Sequence, residues 1–458
     1  MSGHFLDLPD RHAAIRRQRW QNLRNGRTLD EWFSGTSPPQ RRTSVREEIP
    51  RQIYVFCVAE PGTNNLREVA DPENLNLIWE TFVDSARGRD RSAFNIPKGQ
   101  RMAILRNLSR AICSGEYTPG RCRTVYIPKS NGQRRRLEVP SATDRVAAKA
   151  FAEALKPALW DRLPRHYGPN AGYLHLLADI KAMAEQRGCF FIGDDDIANC
   201  YPTIPRVEAH QAFCGVVEPL RLTSTQSDAD EISQFARKLI FGVERQTRTI
   251  GLGQGSCYSP LAASIFLKEF LDVPLERTIG NTVNLLRYVD NTFVIGHEHC
   301  EVRAAMLEIQ RLLSRNGMNL KEAGTRIIDL RQNTEMSIFG FRARWGRNGL
   351  TYQITDKTRE RIRLRLTERI TGRNREQTTR VVRGLIEGLQ PALAQAQGSL
   401  MQWFLQILAH EGYLHIPRTQ IEQWGQEAAE KWDQRVQECK LALIPGATTG
   451  IEENPQVS

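Results

Sequence analysis

The sequence predicts an α+β chain, on two antiparallel hairpin signals, helix-forming stretches between them, and a final third that reads as one helix after another. The first hairpin signal is a strand over 124–128 and another over 136–139, joined through Ser130-Asn131-Gly132. The second is the run RYVDNTFVIG, with strands over 285–289 and 292–295 and Asp290 and Asn291 at the turn. Beyond Thr355, helix formers predict helices over 356–370, 377–389, 392–410 and 420–441. A chain of 458 residues, 40% of them hydrophobic, supplies core enough for two or three domains.

Charge and cysteine usage narrow the class. A formal charge of +11 favours a polyanionic partner, because clustered Lys and Arg release counterions from phosphates; a merely basic surface is the plainer alternative. Nine cysteines, scattered singly without a CxxC pair, indicate neither a disulfide framework nor a zinc ribbon, and a reducing cytoplasm fits them best. The start, MSGHFLDLPDRHAAIRRQRW, has no apolar core of signal-peptide length, and no later run approaches a membrane span. The expectation is a cytoplasmic protein without a membrane partner.

Residues 1–50 read as a basic arm, with a helix over 12–23 and a breaker at Ser37-Pro38-Pro39. A strand over 53–58 and amphipathic helices over 75–86 and 100–114 follow. The first hairpin carries Lys129, Arg134, Arg135 and Arg136 at or beside its turn, where guanidinium forks can pair with a triphosphate, and a helix over 144–155 comes next. At 190–197 an apolar strand ends in Asp194, Asp195 and Asp196, three like charges that read either as a solvated turn or as a metal site. Alternation along a strand puts Asp194 and Asp196 on one face and Asp195 on the other, so at most two serve one site. Gly251, Gly253 and Gly255 punctuate a loop that opens a helix over 259–271, and the loop fits no Walker pattern. A helix over 303–315 and a strand over 336–341 complete the middle of the chain. His297, Glu298, His299 and Cys300 lack ligand spacing and read as a polar loop. Residues 356–370 interleave five arginines with Ile362, Leu364 and Leu366, which suits a helix packed on one side and meeting phosphates on the other, or an ordinary charged face. Residues 442–458 read as a disordered tail.

Taken in order, these motifs resemble the reverse transcriptases, over about 118–341 and more weakly through the basic helix beyond. The resemblance implies a right-hand polymerase: fingers over 51–185, an antiparallel-sheet palm over 186–345 and an all-helical thumb over 346–441. It assigns Asp196 and Asp290 as the catalytic aspartates, with the Ile197 carbonyl as a further metal ligand. Tyr201 falls where the family keeps the aromatic gate against a 2′-hydroxyl. Gln254 and Gly255 resemble the template- and nucleotide-contacting loop, Lys129 and Arg135 the triphosphate-holding pair, and Phe339, Gly340 and Phe341 the primer grip. Tyr288-Val289-Asp290-Asn291 stands in the place of the YxDD signature. The implied chemistry is nucleotidyl transfer through two divalent cations, Mg²⁺ or else Mn²⁺, with carboxylates converging from separate strands.

Two departures stand out. Asn291 replaces the second signature aspartate, exchanging a charge for a carbonyl that still coordinates but attracts a cation less, which predicts weaker or Mn²⁺-shifted activity. Gly324 falls where a lysine is expected, leaving leaving-group protonation to Lys321 or Arg326. The segment YGPNAGY, the motif DIANCYPTI and the lack of an endonuclease tail are similar to bacterial group II intron-like enzymes, above all the defence-associated abortive-infection and "unknown group" lineages. That resemblance implies dNTPs, an RNA template or non-coding RNA, a DNA product, and a partner protein or homo-oligomer. A domesticated group II intron or retron-type enzyme is the rival within the class. A reverse-transcriptase-fold RNA-binding subunit with weakened chemistry is the rival outside it.

Overall fold

The structure, a computed structural model, describes residues 66–83, 93–128, 132, 134–159, 163, 172–217, 226–242, 248–280, 282–332, 337–367, 375–411, 413 and 415–444. The predicted helix over 12–23, the strand over 53–58, Lys129, most of YGPNAGY and the tail beyond 444 lie outside these residues. The chain divides into two units, one built from Met1–Leu163 and Tyr201–Leu267, the other from Pro164–Cys200 and Lys268–Ser458.

The first unit is mostly helical. Its helices include Pro72–Val83, Lys98–Cys113, Ala142–Leu159, Arg206–Val217, Gln226–Phe241 and Ser259–Leu267. Ser141 fixes where the third of these begins: its Oγ accepts from the Asp144 amide at 3.1 Å and donates to Asp144 Oδ2 at 2.7 Å, satisfying an otherwise orphaned first-turn N–H. Phe151 centres the core, with its ring 5.0 Å from Phe235 and 5.6 Å from Tyr258. Strands β1 (Arg123–Pro128) and β2 (Arg134–Val139) pair antiparallel, with Tyr126 opposite Arg136 and Ile127 opposite Arg135.

The second unit carries two antiparallel sheets. Strands β3 (Phe191–Asp196), β4 (Val283–Tyr288), β5 (Asn291–Gly296) and β6 (Ile327–Asp329) form one, in the order β4-β5-β3-β6. Strands β7 (Ser337–Ile338), β8 (Phe341–Gly346) and β9 (Gly349–Ile354) form the other. Ile192, Phe293 and Ile295 of the first sheet share one core with Leu176 and Ile180 of the helix Tyr173–Arg187, Tyr352 of β9, and Trp432 and Val436 of the helix Arg418–Ala442. Helices Asp356–Thr367, Arg375–Glu387 and Gln390–His410 complete this unit. With every ladder antiparallel and the helices segregated, the class is α+β, as the pattern predicted.

Three local expectations are corrected. The strand expected over 336–341 is interrupted, because Phe339 and Gly340 take φ of 51° and 87° and turn the chain between β7 and β8. The polar loop expected over 297–300 ends early, since the helix His299–Arg315 already includes His299 and Cys300. The central hairpin turns one residue sooner than Asp290-Asn291: Val289 and Asp290 make the turn and Asn291 is the first residue of β5, opposite Tyr288.

Candidate active site

The end of β3 and the β4–β5 turn meet by register. Asp196 lies directly opposite Asn291, and the Ile197 amide donates to the Asp290 carbonyl at 3.0 Å. Asp196, Ile197, Asp290 and Asn291, which the sequence singled out from two distant stretches, are therefore brought to one edge of one sheet. Asp196, Asp290 and Asn291 are each half-buried, and the Asp196 side chain is 33% exposed.

What holds the turn was missed in the sequence. Arg287, in β4, is 2% exposed and donates from Nε and Nη2 to the two oxygens of Asp272 at 2.8 and 2.7 Å. Its Nη1 donates to the Val289 carbonyl at 2.9 Å, so one guanidinium ties the hairpin turn to the π-helical turn Lys268–Asp272. Val289 needs that tie, because a β-branched residue at φ 59° pays backbone strain that only its surroundings can hold. A charged residue inside the apolar strand VNLLRY was the available signal, since a buried arginine calls for a buried partner.

The three adjacent aspartates have three different surroundings. Asp195, 4% exposed, accepts backbone N–H bonds from Glu322 at 3.1 Å and Gly324 at 2.9 Å, binding β3 to the loop before β6. Asp194 faces Arg326 at 3.6 Å, yet burial outweighs that guanidinium, and with Asp196 and Asp195 adding repulsion its carboxyl is pushed up to about 6. Asp196 is met by the ammonium of Lys321 on Oδ2, and the Lys321 amide donates to its carbonyl at 2.9 Å. Burial, with the nearby Asp290 charge adding to it, pushes the Cys200 thiol up to about 12, so Cys200 stays a neutral thiol beside the site. The opposite-face placement of Asp195 follows the alternation read from the sequence.

Phe339, at the β7–β8 turn, packs its ring 5.4 Å from Tyr288, 5.6 Å from Phe293 and 5.6 Å from Tyr173. Gly340 sits against the helix Asp356–Thr367, its carbonyl accepting from Thr358 Oγ1 at 2.8 Å, and Phe341 opens β8 in the core. The aromatic turn and the carboxylate hairpin are thus one packed assembly within this unit. His297 lies apart from it, near Cys189 at 3.6 Å. Among the described residues, His175, Asp179 and Cys439 bring metal-ligating atoms within 4.8 Å of one another, but the His175 imidazole already meets the Arg435 guanidinium at 3.0 Å.

The first unit gathers the other predicted residues. The Tyr201 carbonyl accepts from the Leu252 amide at 2.7 Å, and the Gln254 carbonyl accepts from the Glu138 amide of β2 at 2.7 Å. Gly255, at φ 127°, passes so close to β2 that a Cβ would lie 2.5 Å from the Glu138 carbonyl oxygen, so only glycine fits. Arg248 Nη1 reaches Glu138 Oε1 at 2.6 Å, fastening the loop to the hairpin a second time. Tyr201, Gln254 and Gly255 therefore form one neighbourhood with β2. Arg135 stands on that strand, exposed. Lys129 lies outside the described residues.

Comparison with known proteins agrees with these motifs. Residues 127–343 match the family model described as reverse transcriptase (RNA-dependent DNA polymerase). Protein YkfC of Escherichia coli (strain K12) is 27% identical over 265 residues, covering 55% of this chain and 68% of that protein. Among solved structures, apo telomerase from Candida tropicalis is similar at TM-score 0.40 and 12% identity, over 76% of this chain and 73% of that one. Telomerase from Candida albicans in complex with the TWJ fragment of telomeric RNA is similar at TM-score 0.43 and 13% identity, over 83% and 67%. A form of the Candida tropicalis enzyme truncated from its C-terminal domain matches at TM-score 0.38 and 13% identity, over 55% of this chain and 60% of its own length. Among the described residues, no helix is long and apolar enough to cross a membrane. The stretch of this chain similar to a reverse transcriptase domain is thus residues 127–343.

Proposed function

We propose that this chain is an RNA-directed DNA polymerase whose catalytic carboxylates are Asp196 and Asp290, with Asn291 as the neutral third member of the set. The observation that carries this reading is the register of β3 against β5, which sets Asp196 opposite Asn291 and hydrogen-bonds Ile197 to Asp290. Two carboxylates and an amide carbonyl offer oxygen donors only, and Asp196 already draws a cationic ammonium to itself, so the donor set fits a divalent ion such as Mg²⁺ or Mn²⁺. When bound, such ions lower the charge cost of attack by a primer hydroxyl on a triphosphate. Asp196 and Asp290 then hold and orient, the Arg287–Asp272 pair keeps the turn in place, and the Ile197 carbonyl is offered beside them. In the first unit, Arg135, Lys129, Tyr201 and the Gln254-Gly255 loop are assigned to the incoming dNTP. Phe339, Gly340 and Phe341 are assigned to the primer end. The reading extends to a bacterial antiphage role with a non-coding RNA or protein partner, supported by the defence-lineage likeness of DIANCYPTI and the +11 charge.

Protein purified with its co-expressed nucleic acid, supplied with each labelled dNTP and Mg²⁺ or Mn²⁺, makes DNA. Asp196→Ala and Asp290→Ala each reduce synthesis by about a thousandfold or more. Nucleic acid that co-purifies without synthesis under any metal would instead leave an RNA-binding subunit, the reading that Asn291 and Gly324 favour.

A further inference from the structure

We infer that Lys321 is the resident counter-cation of Asp196, a working part of the site that a divalent ion displaces when it binds. This rests on reading Asp196 as a metal ligand. Lys321 is held to Asp196 at both ends, the ammonium on Oδ2 and the backbone amide on the carbonyl at 2.9 Å. The surrounding loop is fastened from below: Asp195 accepts from Glu322 and Gly324, and the Ala198 amide donates to the Asn319 carbonyl at 2.8 Å. The loop's backbone is thereby fixed, and its one lysine reaches Asp196 with a side chain that is open to water.

Position 324 cannot supply that cation. Gly324 has φ 70°, and a Cβ there would stand 3.1 Å from both Cβ and the carbonyl oxygen of Met306, so a lysine would strain the backbone and crowd the helix His299–Arg315. The need remains, because the charges of Asp195 and Asp196 repel that of Asp194 at the end of one strand. Lys321 answers it from a flexible stem whose side chain is 55% exposed, against 33% for Asp196. An ion pair that open to water is weak, so a doubly charged ion outcompetes it and the ammonium swings clear.

Mn²⁺ binding to the full chain, read from the electron paramagnetic resonance signal of the free ion, tests this. Lys321→Met binds Mn²⁺ about fivefold more tightly than the parent, the ratio set by an exposed ion pair of about 1 kcal/mol. Lys321→Arg keeps the charge and binds as the parent does, while Asp196→Asn loses the site. In the parent, acylation of the Lys321 amine, followed by peptide mass spectrometry, rises when Mn²⁺ is added. If Lys321→Met binds like the parent while Asp196→Asn loses the site, or if labelling ignores Mn²⁺, Lys321 is no competitor and the metal reading stands. If Asp196→Asn binds Mn²⁺ as the parent does, Asp196 is not a ligand and both fall.

Discussion

The two hairpins of this chain share a motif and differ in almost everything that follows from it. The β4–β5 hairpin is buried along most of its length, its arginine paired with Asp272 and its turn held at a strained Val289. The β1–β2 hairpin is exposed along most of its length, with Tyr126 60% and Ile127 45% accessible and Arg134, Arg135 and Arg136 all open to solvent. A carboxylate that must meet a metal within a few tenths of an ångström belongs on the first kind of support. A guanidinium that must follow a charged, arriving substrate belongs on the second, where Arg135 stands open to solvent while its neighbour Arg136 meets Glu138 at 3.3 Å. The difference separates stability from binding, and mutation can show how cleanly.

The largest effect is expected at the buried arginine. Arg287→Ala leaves Asp272 unpaired at 4% side-chain exposure and lowers unfolding free energy by about 3–5 kcal/mol. The apolar pair Arg287→Met with Asp272→Leu recovers most of that stability in denaturant titration, because an ion pair in the interior breaks roughly even against hydrophobic neighbours. It does not recover DNA synthesis, since the Arg287 hydrogen bond to the Val289 carbonyl is lost. A double variant as active as the parent would show that the turn needs no such tie.

At the exposed hairpin the pattern inverts. Arg135→Ala raises the KM for dNTPs by about 10- to 100-fold, the loss of one charge-assisted contact, while unfolding free energy moves by less than about 0.5 kcal/mol. Loss of stability without a change in KM would mean that Arg135 has a structural partner after all.

These two regions were unequally legible in the sequence. The exposed hairpin was readable to within two residues, because a Ser-Asn-Gly turn between polar strands states its own register. The buried one was placed correctly but turned one residue late, since Asp-Asn is the better local turn signal and tertiary contacts through Arg287 move the strain onto Val289 instead. Alternation along β3 forecast that Asp195 would face away from Asp194 and Asp196. It could not forecast what Asp195 binds, because the Glu322 and Gly324 amides lie more than a hundred residues further along. Position 324 read as a missing lysine, whereas its φ and the nearness of Met306 make glycine the residue that fits.

Within the buried hairpin's own sheet, Asp194 adds a pH dependence. Its folded-state pKa of about 6 lies above the ordinary carboxylate value because burial disfavours the charge. The folded chain therefore holds that proton more tightly than the unfolded chain does. The resulting stability is full below about pH 4 and is lost as pH rises through about 6. In chelator, Asp194→Asn, which mimics the protonated acid, gains about 1–2 kcal/mol over the parent at pH 8 and nothing at pH 4. An equal difference at both pH values would locate the effect in packing instead.

The smallest expected effect changes sign with the metal. Asn291→Asp restores the second carboxylate of the signature at a position that faces Asp196 across the sheet and follows Asp290 directly. In chelator the new charge meets two like charges and loses the 3.5 Å approaches of the Asn291 amide to the Tyr288 carbonyl and to Asp290, so stability falls by about 1 kcal/mol. With Mg²⁺ the same charge becomes a ligand, and the metal concentration for half-maximal synthesis falls about fivefold, as for any third carboxylate added to a hard-cation site. Metal titrations of melting temperature for parent and variant therefore cross. Curves that stay parallel would mean that position 291 supports the turn without facing the metal, and that the neutral amide is there for the hairpin.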